Sequence, residues 1–294
     1  MVDLHVDQAE GLRRLFAREQ LRVIAFAAGS AGVGKSSLVA NLAVCLAQQG
    51  KNVLVFDEGT KGGVAACFGT EARHDLQQVA EGTTPLQDVL VHVFPGVRVV
   101  PVAGAVKRLG KLDSAQRSAL IQSFSTLDDP ADVVLVDASL EHPLGFSPFG
   151  LAAHHTVVVM SPTPASITEA YALIKKASLG YARRDYRILV NGARNAVEAR
   201  AVFSNIARVT HSRRFARLEY AGGVPLDERL HRASALCQPV ASLYPEAPAA
   251  KACRTLAGEL IGWQLPEQHA GGVEHFFEQL LHLSQQIDPV AIYA

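Results

Sequence analysis

The chain has 294 residues, 49% of them hydrophobic, which is enough for one large α/β domain with a buried core. Lys plus Arg total 28 and Asp plus Glu total 28, so composition supplies no general pull towards nucleic acid or anionic membrane. The four cysteines, Cys45, Cys67, Cys237 and Cys253, make no CxxC pair and no metal spacing with histidine, which excludes iron–sulfur chemistry and fits reduced thiols at a cytosolic address.

Residues 1–20 carry acids and no long apolar core, so a signal peptide is not expected. They read as a short amphipathic helix, with Asp7 at the N-cap position and Ala9, Leu12, Leu15 and Phe16 near one face. So short a helix is marginal alone in water and would order by docking on its own core or on a partner. Residues 21–262 alternate short Val, Ile and Leu runs with helical patterns. The predicted strands are Arg22–Ala28, Asn52–Asp57, Val97–Val102, Asp132–Asp137, Thr156–Ser161, Tyr186–Asn191 and Leu218–Gly222. The predicted helices between them are Ser36–Gln49, Ala115–Thr126, Ser166–Gly180 and Ala196–Ala207. Such alternation predicts an α/β fold with a doubly wound, mainly parallel sheet of about seven to eight strands. Residues 263–294 follow the looser stretch Gln264–Gly272 and read as a terminal helix and tail. There Val273, Phe276, Phe277, Leu280 and Leu281 recur at helical spacing. The opposite face, Glu274, His275, Glu278 and His282, lacks the Lys and Arg of membrane-surface helices, so packing on the core or on a second copy is expected ahead of membrane contact. No apolar run is long enough to span a bilayer.

The run Gly29-Ser30-Ala31-Gly32-Val33-Gly34-Lys35-Ser36 fits G-x4-G-K-S/T, with Ser37 following, between a predicted strand and a predicted helix. Glycines let backbone N–H groups converge on phosphate oxygens, and the helix N-terminus adds positive potential. Lys35 would reach the β- and γ-phosphates and the Ser36 hydroxyl would ligate Mg2+. Asp57 and Asp137 each end a strand, where open parallel sheets bind ligands. Asp137 reads as the carboxylate behind the metal, or as an N-cap or turn acid. Asp57 is a candidate for the metal and for catalysis, or a turn-forming acid.

Four further stretches accompany that loop: Val157–Ser178, Ile188–Asn195, Val224–Leu256, and Asp7-Gln8-Ala9-Glu10-Gly11-Leu12-Arg13, which fits DQAxxLR. Over nearly the whole chain the pattern resembles the MinD/ParA family of deviant-Walker ATPases, and within it the flagellar-number regulators of the FlhG/FleN type. The resemblance implies binding of ATP and its product ADP with Mg2+, Asn191 at the adenine edge, and an ATP-driven switch to a sandwich homodimer. It also implies that Asp7, Gln8, Ala9, Leu12 and Arg13 engage and stimulate an FlhF-type GTPase. Flagellar switch-ring proteins and a transcriptional regulator are further partners of the family, and its C-terminal helix touches the membrane in the ATP-bound dimer. The implied location is cytoplasmic, peripheral at the inner membrane or the flagellated pole.

The chain departs from the family where catalysis is expected. Ser30 stands where the signature lysine of K-G-G-x-G-K-S/T falls, and a serine cannot reach a partner's phosphates. The usual Asp-x-Asp is shortened to Asp57-Glu58-Gly59, and a one-residue shift turns Glu58 to the other face of the strand. Ala138-Ser139-Leu140-Glu141 replaces the usual Pro and Gly after Asp137. Losing one preorganised contact costs about 2.7–4 kcal/mol of barrier lowering. With Lys35 and Asp57 left as catalytic candidates, the expectation is ATP binding with weak hydrolysis. A scaffold that does not hydrolyse ATP is one alternative. A DNA-partition ATPase using Arg213, Arg214 and Arg217 is another, disfavoured by the zero net charge.

Overall fold

Runs such as Val-Leu-Val-Phe-Asp at Val53–Asp57 become strands with every residue buried, because helices cover both faces of the sheet. The computed structural model describes residues 21–60, 63–139, 146–181, 183–265 and 272–286. The expected helix at 1–20 lies outside them. The described part opens with β1 (Arg22–Ala28), α1 (Lys35–Gln48), β2 (Val53–Asp57), a 3₁₀ turn at Ala65–Phe68, α2 (Leu76–Ala80) and α3 (Leu86–Val89). It continues with β3 (Val91–Phe94), β4 (Val97–Pro101), 3₁₀ turns at Ala105–Lys107 and Leu109–Lys111, α4 (Ser114–Ser125), β5 (Val133–Asp137), α5 (Pro148–Ala152) and β6 (His155–Met160). Then come α6 (Pro164–Tyr181), β7 (Asp185–Ala193), α7 (Ala196–Arg213), β8 (Arg217–Pro225) and α8 (Glu228–Ala235). The described part closes with α9 (Val240–Leu243), α10 (Pro248–Gly262) and α11 (Val273–Gln286).

The strands form one sheet in the order β3-β4-β2-β5-β1-β6-β7-β8. Every pairing is parallel except β3 with β4. Seven strands stand where the apolar runs predict them. The eighth, β3, has an exposed His92 and runs antiparallel at the sheet edge. Ile24, Phe26 and Ala28 of β1 face a core shared with α1 and α10. The alternate residues face the opposite layer: Val23 and Ala25 pack with α4, α5 and α11, and Ala27 packs with α6 and α7. This is the doubly wound architecture expected from the alternation.

The C-terminal stripe packs on the chain's own core. Phe276 and Phe277 are fully buried. The Phe276 ring stacks on Phe56 of β2 at 5.9 Å, and the Phe277 ring lies 4.4 Å from that of Phe124 on α4. Phe149 of α5 completes the group at 5.1 Å from Phe56. Approach is close enough that a β-carbon at Gly110 would stand 2.5 Å from the Ser284 carbonyl oxygen, so only glycine fits there. No helix of the described residues is long and apolar enough to cross a membrane.

At the other end of the strands, Trp263 closes the base of the sheet. Its carbonyl accepts from the Arg22 guanidinium, and the Arg187 guanidinium lies 4.2 Å from the centre of its ring. His155 meets the ring edge-on at 5.3 Å, with its Nδ1 2.8 Å from Arg187 Nη1. Burial, then the charge of Arg187, pushes the His155 pKa down to about 3, so the neutral ring accepts that hydrogen bond.

Two outcomes follow from this packing. Phe277→Ala opens a cavity in the aromatic group and should cost about 3–5 kcal/mol, read as a lower denaturant midpoint with an unchanged slope. The folded pKa of His155 lies below its ordinary 6.5, so its contribution to stability is present above that value and is lost as pH falls towards about 3. Stability of His155→Gln measured by urea unfolding from neutral to acid pH should therefore fall less steeply than that of the parent.

Candidate functional site

The phosphate loop joins β1 to α1 at the carboxyl ends of the strands, where β5 and β6 flank β1 on either side. Its glycines answer particular constraints. A β-carbon at Gly29 would stand 2.2 Å from the Glu169 carbonyl carbon, inside the backbone of α6. Gly32 and Gly34 adopt φ of 76° and 80°, the left-handed region that glycine enters without strain. Gly34 lies so near Asn191 that a β-carbon would meet its Nδ2 at 2.5 Å. Helix α1 starts at once, with no side-chain cap and no acid in its first turn among the described residues. Its leading N–H groups and dipole therefore suit an anion.

Lys35 and Ser36 converge on one carboxylate. The Lys35 ammonium forms an ion pair with Asp137 Oδ1, and the Ser36 hydroxyl donates to Asp137 Oδ2 at 2.6 Å. Asp137 is buried at the end of β5, in register with Asp57 at the end of β2. The loop, the lysine and the strand-end acid expected from sequence thus meet at one place. A hydroxyl beside carboxylate oxygens is a hard donor set of the kind Mg2+ takes.

Asp57 and Glu58 turn in different directions. Asp57 accepts from the N–H groups of Gly59 at 2.9 Å and Val64 at 2.6 Å, so its carboxylate organises the loop leaving β2. Gly63 lies against it so tightly that a β-carbon would fall 2.2 Å from Oδ2. Burial, then the charge of Asp137, pushes the Asp57 pKa up to about 6, while the N–H donors pull it back. Glu58 is fully enclosed on the other side, where it accepts from the Ser139 N–H at 2.8 Å and from the Ser147 hydroxyl. Burial pushes its pKa up to about 7 against those donors. Ser147 caps the start of α5, so Glu58 braces that helix.

The remaining loop positions are also fixed. Ser30 points its hydroxyl at Ser166 Oγ, 3.4 Å away, which also accepts from the Ser161 N–H at 3.0 Å. Asn191 donates to the Val33 carbonyl at 2.7 Å, bracing the loop from β7. Ala31 is exposed and Val33 buried, and Ser37 lies 3.5 Å from Ser234 on α8. Asp7, Gln8, Ala9, Leu12 and Arg13 lie outside the described residues.

Two buried polar residues outside the phosphate-loop motif tie this end of the sheet together. Asn41 sits inside the apolar run of α1, accepts from the Ala241 N–H at 2.9 Å and donates to the Ser37 carbonyl at 2.7 Å. Asp227 caps α8 through Arg229 and also accepts from the Ala249 N–H at 3.0 Å. The signal for Asn41 is a lone amide inside the apolar run Leu38–Leu46, since such a group is buried only with partners.

Comparison with known proteins bears on the family and the fold. The family described as CobQ/CobB/MinD/ParA nucleotide binding domain matches residues 24–240. The antiactivator FleN of Pseudomonas aeruginosa is 32% identical over 271 residues, spanning 92% of this chain and 97% of that protein. The flagellum site-determining protein YlxH of Helicobacter pylori is 26% identical over 88% of this chain and 90% of its own length. Among solved structures, the MinD cell division protein of Aquifex aeolicus shares the fold with a TM-score of 0.63 at 24% identity, covering 83% of this chain and 98% of that one.

A nucleotide held by the loop should stabilise the fold by about 2.7 kcal/mol at a free concentration 100 times its Kd. Lys35→Ala should lose most of that gain. The check is a thermal melt with and without nucleotide, in which the parent's midpoint rises and the variant's barely moves.

Proposed function

The chain belongs to the CobQ/CobB/MinD/ParA nucleotide-binding family, and we propose that it is an ATP-dependent regulator of flagellar number and placement. The observation that carries the nucleotide part is the convergence of Lys35 and Ser36 on Asp137 beneath a glycine loop at a helix N-terminus. Loop N–H groups and Lys35 would hold the phosphates of ATP or ADP. The Ser36 hydroxyl would hold Mg2+, with Asp137 behind it, and Asn191 lies close enough to the loop to serve the base side of the site. Bound Mg2+ neutralises charge on the β- and γ-phosphate oxygens. The flagellar part rests on full-length similarity to FleN and YlxH, proteins named for antiactivation and for flagellum site determination.

Slow hydrolysis is part of the proposal. Ser30 turns to Ser166 and carries no charge, and the two acids after Phe56 are taken up by the Gly59–Val64 loop and by Ser147. Both carboxylates already hold donors of their own, and two lost contacts would each cost about 10²–10³ in rate. An ATP-dependent homodimer in such a chain would have to form without a signature lysine. The core packing of Phe276 and Phe277 favours weak or absent membrane contact through α11.

The partner part concerns residues 7–16. Strand β1 is seven residues long and begins at Arg22, about 23 Å along the strand from the phosphate loop, so the described sheet is complete without residues 1–20. That supports reading them as a separable segment that acts on a partner. Gln8 supplies both a carbonyl and an amide, and Arg13 a planar charged fork, suited to ordering water and phosphate in the site of an FlhF-type GTPase. Flagellar switch-ring proteins and a transcriptional regulator are the further partners this reading implies.

The test separates the two parts. The full chain should turn over ATP well below about 1 s⁻¹ and still accelerate single-turnover GTP hydrolysis by an FlhF-type GTPase. A chain lacking residues 1–20 should bind ATP as the parent does and give no acceleration. If the shortened chain stimulates as well as the parent, the segment is not the effector, and turnover at 1 s⁻¹ or faster would overturn the slow-hydrolysis reading.

A further inference from the structure

Glu58 is bonded to the backbone on both sides of the peptide that follows Asp137. Its own N–H donates to the Asp137 carbonyl at 3.3 Å, one residue beyond the last paired positions of β2 and β5, Asp57 and Asp137. Its carboxylate then accepts from the Ser139 N–H at 2.8 Å. In a parallel pair, the Ser139 N–H is the next donor of that ladder. The Glu58 side chain supplies an acceptor for it, so the hold on β5 is carried past Asp137 although β2 itself ends at Asp57. From the other side, the Ala138 N–H donates to the Phe26 carbonyl of β1 at 3.0 Å. The second carboxylate oxygen of Glu58 accepts from the Ser147 hydroxyl, which in turn accepts from the Gly150 N–H at 3.2 Å at the start of α5. Glu58, Asp137 and Ser147 are all buried, so water does not compete for these bonds.

We propose that Glu58 is the positioning residue of the Mg2+ site: by holding the Ser139 amide it fixes the backbone from which the Asp137 carboxylate projects, and so fixes that carboxylate behind the metal. This role rests on the nucleotide reading given above. The need for it follows from what a nucleotide does to Asp137. In the structure described here, Lys35 and Ser36 both bond to the carboxylate and orient it directly. Phosphates would draw the Lys35 ammonium towards themselves, and Mg2+ would take the Ser36 hydroxyl as a ligand. The Asp137 carboxylate would then lose both restraints, and its aim would depend on its own backbone. Glu58 acts through Asp137 and touches neither phosphate nor metal. The acid that the shortened Asp57-Glu58-Gly59 leaves at position 58 is thereby put to use, on the side away from the loop that Asp57 holds.

The consequence is selective. Loop N–H groups and Lys35 can hold phosphates whatever the aim of Asp137, whereas the metal depends on it. Groups that orient a metal's ligands ordinarily change metal affinity by about 10–100-fold, and Glu58, acting from further out, belongs at the lower end of that range.

The experiment uses the full chain and a slowly hydrolysed ATP analogue. Calorimetry gives the nucleotide Kd in EDTA, and a MgCl2 titration at fixed nucleotide gives the Mg2+ midpoint. Glu58→Met fills a similar space without an acceptor. It should raise the Mg2+ midpoint about tenfold and leave the Kd in EDTA unchanged. Glu58→Gln keeps a carbonyl for the Ser139 N–H and offers an amide to the Ser147 oxygen, so it should stay near the parent. Ser147→Ala frees only the second oxygen and should fall between the parent and Glu58→Met, which keeps the question answerable if Glu58→Met does not fold. Hydrogen exchange without nucleotide or metal is the second readout. The Ser139 amide should be protected in the parent and in Glu58→Gln, and should exchange severalfold faster in Glu58→Met. Equal loss of binding with and without Mg2+ in Glu58→Met, or an unmoved Mg2+ midpoint, would overturn the positioning role. So would Glu58→Gln behaving as Glu58→Met does. A parent that binds no nucleotide would sink the proposed function instead, and the exchange of Ser139 would still decide whether Glu58 holds that amide.

Discussion

The Asp137 carboxylate is the point on which the rest of this structure turns. It is buried, it receives Lys35 and Ser36 from the start of α1, and it stands in register with Asp57 on the neighbouring strand. A buried carboxylate with two donors is stable; removing Lys35 would leave an uncompensated charge, and removing the Ser36 hydroxyl would leave one oxygen short of a donor. An incoming phosphate offers Lys35 a second anion, so the ammonium can exchange one partner for another without ever being buried alone. The glycine geometry serves this exchange: it keeps β-carbons away from α6 and Asn191 and leaves the first-turn N–H groups of α1 facing outward.

How much of this was legible follows from contrast in the sequence. Strands covered on both faces read as unbroken apolar runs, and seven of them stand out. Strand β3 does not, because an edge strand of four residues with an exposed His92 carries neither a run nor a full alternation. Helix α10 gives a weak sequence signal for a related reason. Its buried stripe is Ala249, Ala250, Cys253, Leu256, Ala257 and Leu260, and small residues that let α10 approach α1 closely give little hydrophobic contrast. Helix α7 runs on to Arg213 past the last strongly apolar position, ending at Arg214 with φ of 56°, a stop that no glycine announces. The site itself was legible down to the meeting of Lys35, Ser36 and Asp137, because motif, preceding strand and following helix all agreed. The contacts of Asn41 and Asp227 were not, since their partners lie on α9 and α10, some 200 and 22 residues further along.

The acids after Phe56 show what one residue does to a strand end. Consecutive side chains leave a strand on opposite faces, so Asp57 reaches the loop over α1 while Glu58 drops into the layer that holds α5. Glu58 accepts from Ser139 beyond β5 and from Ser147 at the head of α5, and α5 carries Phe149 into the aromatic group with Phe276 and Phe277. A polar chain thus runs from the end of β2 to the helix that α11 packs against. Both of its ends are buried, and a buried hydrogen bond left unmade costs more than its net worth when made. Any change at the β2 end that rotates Glu58 must therefore be answered at α5.

The two ends of the sheet divide the work between charge and packing. At the carboxyl ends of the strands, carboxylates, a lysine and backbone N–H groups are gathered around a space that accepts an anion. At the amino ends, Arg22, His155, Arg187 and Trp263 close on one another, with the histidine held neutral by burial among cations. Strand β1 begins at Arg22 and α10 ends beside Trp263, and the Arg22 guanidinium holds the Trp263 carbonyl directly. A partner that pulled on residues before β1 would act on this cation–aromatic cluster first. The strain would reach the phosphate loop only through β1, whose seven residues are paired with β5 on one side and β6 on the other. A strand so placed transmits displacement along its axis poorly, because shifting it breaks ladder bonds on both sides at once. The fold therefore favours independence of the two ends, with any coupling carried by the Glu58–Ser147 chain and the helices of the second face.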